Sequence, residues 1–144
     1  MYLLDTNVIS ELRKAKAGTA NRGVGDWANQ IPAALMFVSV ISIHELEHAV
    51  LLAERSDPAK GVVLRSWLDD SVLPAFAERI LPVDLSVVVR AAGLHVPDPA
   101  PFRDALIGAT ALVRGMVLVT RNLRDFERFR DLEVVNPWTY ERRS

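Results

Sequence analysis

The chain has 144 residues, 50% of them hydrophobic and 24% charged, with a formal net charge of −1 at pH 7. This length and composition exclude a disordered chain and predict a single globular domain over residues 1–144. The absence of cysteine excludes disulfides and thiolate chemistry. No apolar run reaches the ~20 residues that span a bilayer, and no secretory signal is visible, so we expect a cytoplasmic protein without a membrane partner.

Four short apolar runs predict buried strands, because each is bounded by proline, glycine or polar residues and is too short for a helix. They are residues 1–4, 35–40, 80–83 and 116–119, and a last candidate strand is 133–135. Apolar residues recur at helical spacing from Val8, over 43–53 and over 102–113, and we expect further helix within 58–78 and a connector near 15–25. This alternation predicts an α/β fold with a mostly parallel central sheet, flanked by helices, and a helical insertion in its first half.

An acidic residue follows the end of a predicted strand, or begins the next helix, at four places. Asp5 follows the first run and Glu45 the second. Asp104 begins a helix, and Asp125 comes after the fourth run. One such acid is explained as a helix cap, but ligands of an α/β sheet bind at this edge, and four mutually repelling acids are tolerated there when a divalent cation neutralises them. Carboxylates suit Mg²⁺ or Mn²⁺, which promote hydrolysis of phosphate esters.

Several segments along the chain together form a recognisable pattern. In order they are LLDTNVISEL, SVISIHELEHAV, FRDALIGATAL, LVTRNLRDFERF and VVNPW. The set resembles the PIN-domain ribonucleases over nearly the whole chain, and especially the VapC-type toxins of bacterial toxin–antitoxin pairs. The resemblance implies a Mg²⁺-dependent endoribonuclease, with Mn²⁺ as a substitute, that hydrolyses RNA to 5′-phosphate and 3′-hydroxyl ends.

The resemblance also implies partners. A small VapB-like antitoxin would hold the toxin inactive in a larger complex, and the toxin itself would be a homodimer. The apolar helical region around Trp67, Leu68 and Leu73 favours the same expectation of a dimer.

Residue by residue, the resemblance assigns roles to the acids and to their polar neighbours. Asp5, Glu45 and Asp104 match the family's acidic metal ligands and catalytic residues. Asn7 and Thr120 match its polar supporting positions.

Two features of the chain depart from the family pattern. Glu47 and Ala49 stand where relatives often have arginine and glycine, which puts in doubt any contact made by that arginine. Some relatives have an aspartate at the position of Asn122, and others have an acid at that of Asp125. We expect Asp125 to complete the catalytic site through a metal-bound water and Asn122 to orient a water or the phosphate.

Two alternatives remain open. His44 and His48 form an HExxH pattern typical of zinc peptidases, whose third ligand would have to be His95 or Glu54. The other alternative is a PIN-fold binding module without catalysis, since a fold does not guarantee an activity.

Overall fold

The computed structural model describes residues 1–142, apart from the side chain of Lys16. Within this range the centre of the molecule is a five-stranded sheet with the order β3-β2-β1-β4-β5. The strands are β1 (Tyr2–Leu4), β2 (Met36–Ser39), β3 (Ile80–Leu81), β4 (Val117–Val119) and β5 (Val134–Val135). Every neighbouring pair is parallel, and each strand lies inside one of the predicted runs. The predicted α/β fold with a central parallel sheet is therefore confirmed.

Helices cover both faces of this sheet. They are α1 (Thr6–Arg13), α2 (Arg22–Gln30), α3 (Val40–Ser56), α4 (Pro58–Trp67), α5 (Leu73–Ala75), α6 (Leu85–Leu94), α7 (Phe102–Arg114) and α8 (Leu123–Phe126). A π-helical turn, Leu68–Val72, joins α4 to α5, so the run from α3 to α5 forms the helical insertion between β2 and β3. No helix in the described part of the chain is long and apolar enough to cross a membrane.

Alternation along the strands divides the interior into two apolar cores. In β1, Leu3 packs with residues of α6 and α7, whereas Leu4 packs with residues of α1 and α3. In β4, Leu118 belongs to the same core as Leu3, and Val119 belongs to the same core as Leu4. Because successive side chains of a strand point to opposite faces, both faces of the sheet are buried, as expected for a parallel sheet between helices.

Three details differ from the predictions made on the sequence. The connector expected near 15–25 is shorter, because α2 begins at Arg22 with Asn21 as its N-cap. The helix α6 lies in a segment for which the sequence pattern predicted no element. Leu68 is only 1% exposed, so it belongs to the core and is not available for a dimer contact.

Candidate metal centre

The first acid, Asp5, directly follows β1 and is fully buried. It is the N-cap of α1, and its Oδ1 accepts a hydrogen bond of 2.8 Å from the backbone N–H of Thr6. Its Oδ2 accepts another of 2.8 Å from the hydroxyl of Thr120. Capping uses only part of the hydrogen-bonding capacity of a carboxylate, so Asp5 has room for a cation as well.

Arg103, in the first turn of α7, joins three acids that come from three different elements. Its Nη2 lies 2.5 Å from Asp5 Oδ1, its Nε 2.6 Å from Glu45 Oε2 and its Nη1 2.5 Å from Asp104 Oδ1. Burial disfavours the charged guanidinium, but hydrogen bonds and the charges of Glu45 and Asp5 outweigh it and raise the pKa of Arg103 above its ordinary value. The structure thus brings Asp5, Glu45 and Asp104 together around one cation.

Glu45 reaches this cluster from α3. This helix begins at Val40 immediately after β2, so Glu45 lies in its second turn. Its Oε1 accepts a hydrogen bond of 2.6 Å from Thr6 Oγ1, which also lies 3.0 Å from Ser42 Oγ. The residue after Asp5 therefore holds the second acid in place.

Asp125 lies near the cluster without belonging to it. Asp104 is buried, and burial raises its pKa; the charge of Arg103 opposes this rise, and the charges of Asp125 and Asp5 add to it. Asp125 itself, in α8, is exposed. Within residues 1–142 no ion pair includes Asp125, although arginines flank it in sequence. The charge of this fourth acid therefore acts on the cluster.

The three polar residues expected in support differ in what they contribute. The Thr120 hydroxyl, which donates to Asp5, accepts a hydrogen bond of 3.4 Å from Asn7 Nδ2 and one of 3.1 Å from the backbone N–H of Asn122. Asn7 Oδ1 in turn accepts from the backbone N–H of Arg121 at 3.3 Å. Asn122 therefore contributes its backbone, and its exposed side chain lies at the edge of this network.

Three residues of the cluster were not predicted from the sequence: Arg103, Thr6 and Ser42. Each lies inside a segment used for the family resemblance: Arg103 directly precedes Asp104, Thr6 directly follows Asp5, and Ser42 lies one helical turn before Glu45. In the sequence Arg103 adjoins only Asp104, so its contacts with Asp5 and Glu45 follow only from the fold.

The donor set of this cluster has the chemistry that a divalent cation needs. Three carboxylates converge on one positive group, and carboxylate oxygens are the protein ligands that Mg²⁺ and Mn²⁺ prefer. Each of them contacts the guanidinium of Arg103 at 2.5–2.6 Å. Within residues 1–142 no group of three or more acidic or histidine side chains has the spacing of direct metal coordination. The residues therefore fit a divalent cation, in an arrangement that now accommodates Arg103.

The possible zinc ligands do not come together. His44 and His48 are both exposed on α3. His95 ends α6, and its Nδ1 accepts a hydrogen bond of 3.0 Å from the backbone N–H of Ala100. Glu54 pairs with Arg65 at 3.2 Å. The structure therefore gives no support to the HExxH interpretation.

Glu47, which stands where relatives often have arginine, has a structural partner. Its two oxygens lie 2.8 and 2.7 Å from the guanidinium nitrogens of Arg65 in α4, and this hydrogen bonding lowers the pKa of Glu47. Arg65 also contacts Glu54 and, at 3.5 Å, Asp69. Glu47 therefore helps to join α3 to α4, and Ala49 is exposed on α3.

Comparison with known proteins agrees with this architecture. Residues 2–132 match the PIN domain family, and the chain belongs to that family. It is 34% identical to the VapC ribonuclease Y4jK of Sinorhizobium fredii over 96% of this chain and 98% of that protein. It is 35% identical to the toxin FitB of Neisseria gonorrhoeae over 96% of this chain and 99% of that protein. The crystal structure of FitAcB from Neisseria gonorrhoeae superposes with a TM-score of 0.85 at 33% identity, covering 96% and 99% of the two chains.

Proposed function

We propose that residues 1–144 form a single nuclease domain, a toxin-type, Mg²⁺-dependent endoribonuclease that acts on RNA in the cytoplasm. The observation that carries this proposal is the convergence of Asp5, Glu45 and Asp104, from three separate elements, on one positive group. Membership of the PIN family and similarity to proteins named as ribonucleases support the same activity.

In this proposal Asp5, Glu45 and Asp104 hold the metal. When bound, a divalent cation activates a water, polarises the phosphate and stabilises the leaving oxygen, which gives 5′-phosphate and 3′-hydroxyl ends. The protein's own contribution is orientation. Thr6 and Thr120 fix the two carboxylates of Asp5 and Glu45 by hydrogen bonds of 2.6–2.8 Å.

The exposed residues beside the cluster would contact the reacting groups. Asp125 places a negative charge near Asp104 at the solvent edge, where its carboxylate would accept a hydrogen bond from a water held by the bound cation. Asn122, also exposed, orients the phosphate or a water with its amide.

We further propose that a small antitoxin inhibits the enzyme and that the toxin is a homodimer. A solved structure described as FitAB bound to an IR36 DNA fragment superposes with a TM-score of 0.85 at 32% identity. Its description names a complex. An apolar groove of about 440 Å³ runs between α1 and the α4–α5 region, where Ile9, Leu12, Trp67 and Phe76 line it. Such a surface suits the apolar side chains of an antitoxin segment.

The experiment that tests the activity measures cleavage of RNA by the purified chain, with Mg²⁺ and then with excess EDTA. We expect cleavage that stops with EDTA and that is lost in Asp104→Asn. A matched control is Asp84→Asn, because Asp84 caps α6 outside the cluster and asparagine also caps helices well. An Asp104→Asn protein that cleaves at the wild-type rate would exclude this site.

A further inference from the structure

The three carboxylates of the candidate site already pair with a positive group of the protein, the guanidinium of Arg103. Arg103 donates hydrogen bonds to one oxygen of each of Asp5, Glu45 and Asp104. Its Nη2 also lies 3.3 Å from Thr6 Oγ1. Each of the three guanidinium nitrogens is therefore directed at the candidate site.

A divalent cation and this guanidinium cannot use these oxygens in the same way at the same time. Mg²⁺ binds its oxygen ligands at about 2.0–2.1 Å and requires a lone pair of each, and one oxygen of each carboxylate here accepts an N–H group of Arg103. Coordination of one ion through these three oxygens therefore requires the guanidinium to leave. The side chain of Arg103 is 33% exposed, so it has a path to solvent without unfolding of the core.

We propose that Arg103 is an internal cation that occupies the metal position of the metal-free protein and competes with the divalent ion for Asp5, Glu45 and Asp104. This rests on the proposed metal site. Without metal, Arg103 neutralises part of the charge of three neighbouring carboxylates and stabilises the fold. On metal binding it is displaced, so the chain binds Mg²⁺ or Mn²⁺ more weakly than the carboxylates alone would. Arg103 is thus a positioning residue that sets the metal concentration at which the site fills.

The test measures binding of Mn²⁺ to the full chain by isothermal titration calorimetry, after removal of metal with EDTA. We expect Arg103→Gln to lower the Kd for Mn²⁺ by about tenfold or more, because three charge-assisted hydrogen bonds no longer oppose the ion. Arg103→Lys should give an intermediate Kd, since a single ammonium cannot donate to three acids in the geometry of the guanidinium fork. If Arg103→Gln does not fold, the Kd of Arg103→Lys tests the proposal in its place.

Arg65→Gln is the matched control. Arg65 also pairs with three acids, Glu47, Glu54 and Asp69, but outside the cluster, so its loss should leave the Kd for Mn²⁺ unchanged. A second measurement is thermal unfolding. In EDTA, Arg103→Gln should melt at a lower temperature than the wild type, and Mn²⁺ should raise its Tm by more than it raises that of the wild type.

An unchanged or higher Kd in both Arg103 variants would overturn the proposal, because it would mean that Arg103 organises the acids for the metal. Asp104→Asn distinguishes this failure from failure of the metal site. If Asp104→Asn loses Mn²⁺ binding while the Arg103 variants bind like the wild type, the metal site is correct and only the proposed competition between Arg103 and the metal is wrong. If Asp104→Asn binds Mn²⁺ as the wild type does, the assignment of the metal site is wrong as well.

Discussion

Replacing Asp5 by asparagine should destabilise the metal-free protein, although it removes one of several neighbouring negative charges. Repulsion among the acids alone predicts the opposite. In the structure, however, Asp5 is fully buried and accepts hydrogen bonds from Thr6, Thr120 and Arg103. An asparagine has one acceptor oxygen and one amide group that only donates.

The geometry decides which contact is lost. If the asparagine oxygen takes the place of Oδ1, it keeps the hydrogen bonds from Thr6 and Arg103, and its amide then faces Thr120 Oγ1. That hydroxyl already accepts from Asn7 and from the backbone of Asn122, so it has no lone pair for a further donor. One hydrogen bond is lost, worth about 1 kcal/mol, and a buried amide is left without a partner, at a cost of about 1–3 kcal/mol. We expect a total loss of about 2–4 kcal/mol.

Urea unfolding in EDTA, followed by circular dichroism, measures this difference. The variant Thr120→Val removes the hydroxyl that conflicts with the new amide, so the double variant should be more stable than the sum of the two single effects predicts, by about 1 kcal/mol. A loss below about 0.5 kcal/mol for Asp5→Asn, or strict additivity of the two substitutions, would refute this account of the hydrogen bonds.

The remaining predictions concern the neighbouring groups and the helix packing. The double variant His44→Ala/His48→Ala should cleave RNA within a few-fold of the wild type, because both imidazoles are exposed on α3; loss of cleavage together with release of zinc would contradict this. Asp125→Ala should raise the Mg²⁺ concentration needed for half-maximal cleavage by roughly 10- to 100-fold, as for a group that acts through a bound water. Gly61→Ala should lower the free energy of unfolding by about 1–3 kcal/mol, because a Cβ there would lie 2.6 Å from Glu54 Cα in α3.

Two comparisons make these predictions specific. Asn122→Ala should lower the cleavage rate at saturating Mg²⁺ without moving the metal titration, in contrast to Asp125→Ala. Gly93→Ala is the control for Gly61→Ala, because nothing lies within 4 Å of the added Cβ in α6. It should leave stability unchanged or raise it by up to about 1 kcal/mol, since alanine favours helix over glycine. Equal effects of the two alanine substitutions would contradict the packing argument.

The fold was largely predictable from the sequence because its three central strands are mostly buried. A strand such as β4 shows a short apolar run between Gly115 and Thr120, and this signal does not depend on distant contacts. The helix α6 was missed for the converse reason. Its apolar residues include the exposed Leu85, Val88 and Val89, so it lacks the clear division into an apolar and a polar face that identifies a helix.

The acids of the site were also predictable, because parallel strands bring their carboxyl ends to one edge. The spacing of residues in the sequence does not indicate how the negative charge at that edge is neutralised when no metal is bound. Arg103 precedes Asp104 in the chain, yet its function depends on Asp5 and Glu45, which are 98 and 58 residues away in sequence. Such a contact follows only from the three-dimensional arrangement, and it changes the expected effect of every substitution in the cluster.

Asp5 shows why a helix cap and a metal ligand are not competing interpretations of one residue. An ionised carboxylate has about four lone-pair sites. The cap uses one for the backbone N–H of Thr6, and Thr120 uses a second on the other oxygen. These donors fix the orientation of the carboxylate, while a third site is directed at Arg103. Capping therefore prepares the carboxylate for a cation. For an acid at such a strand end, the informative question is how many of its lone pairs remain after the cap is satisfied.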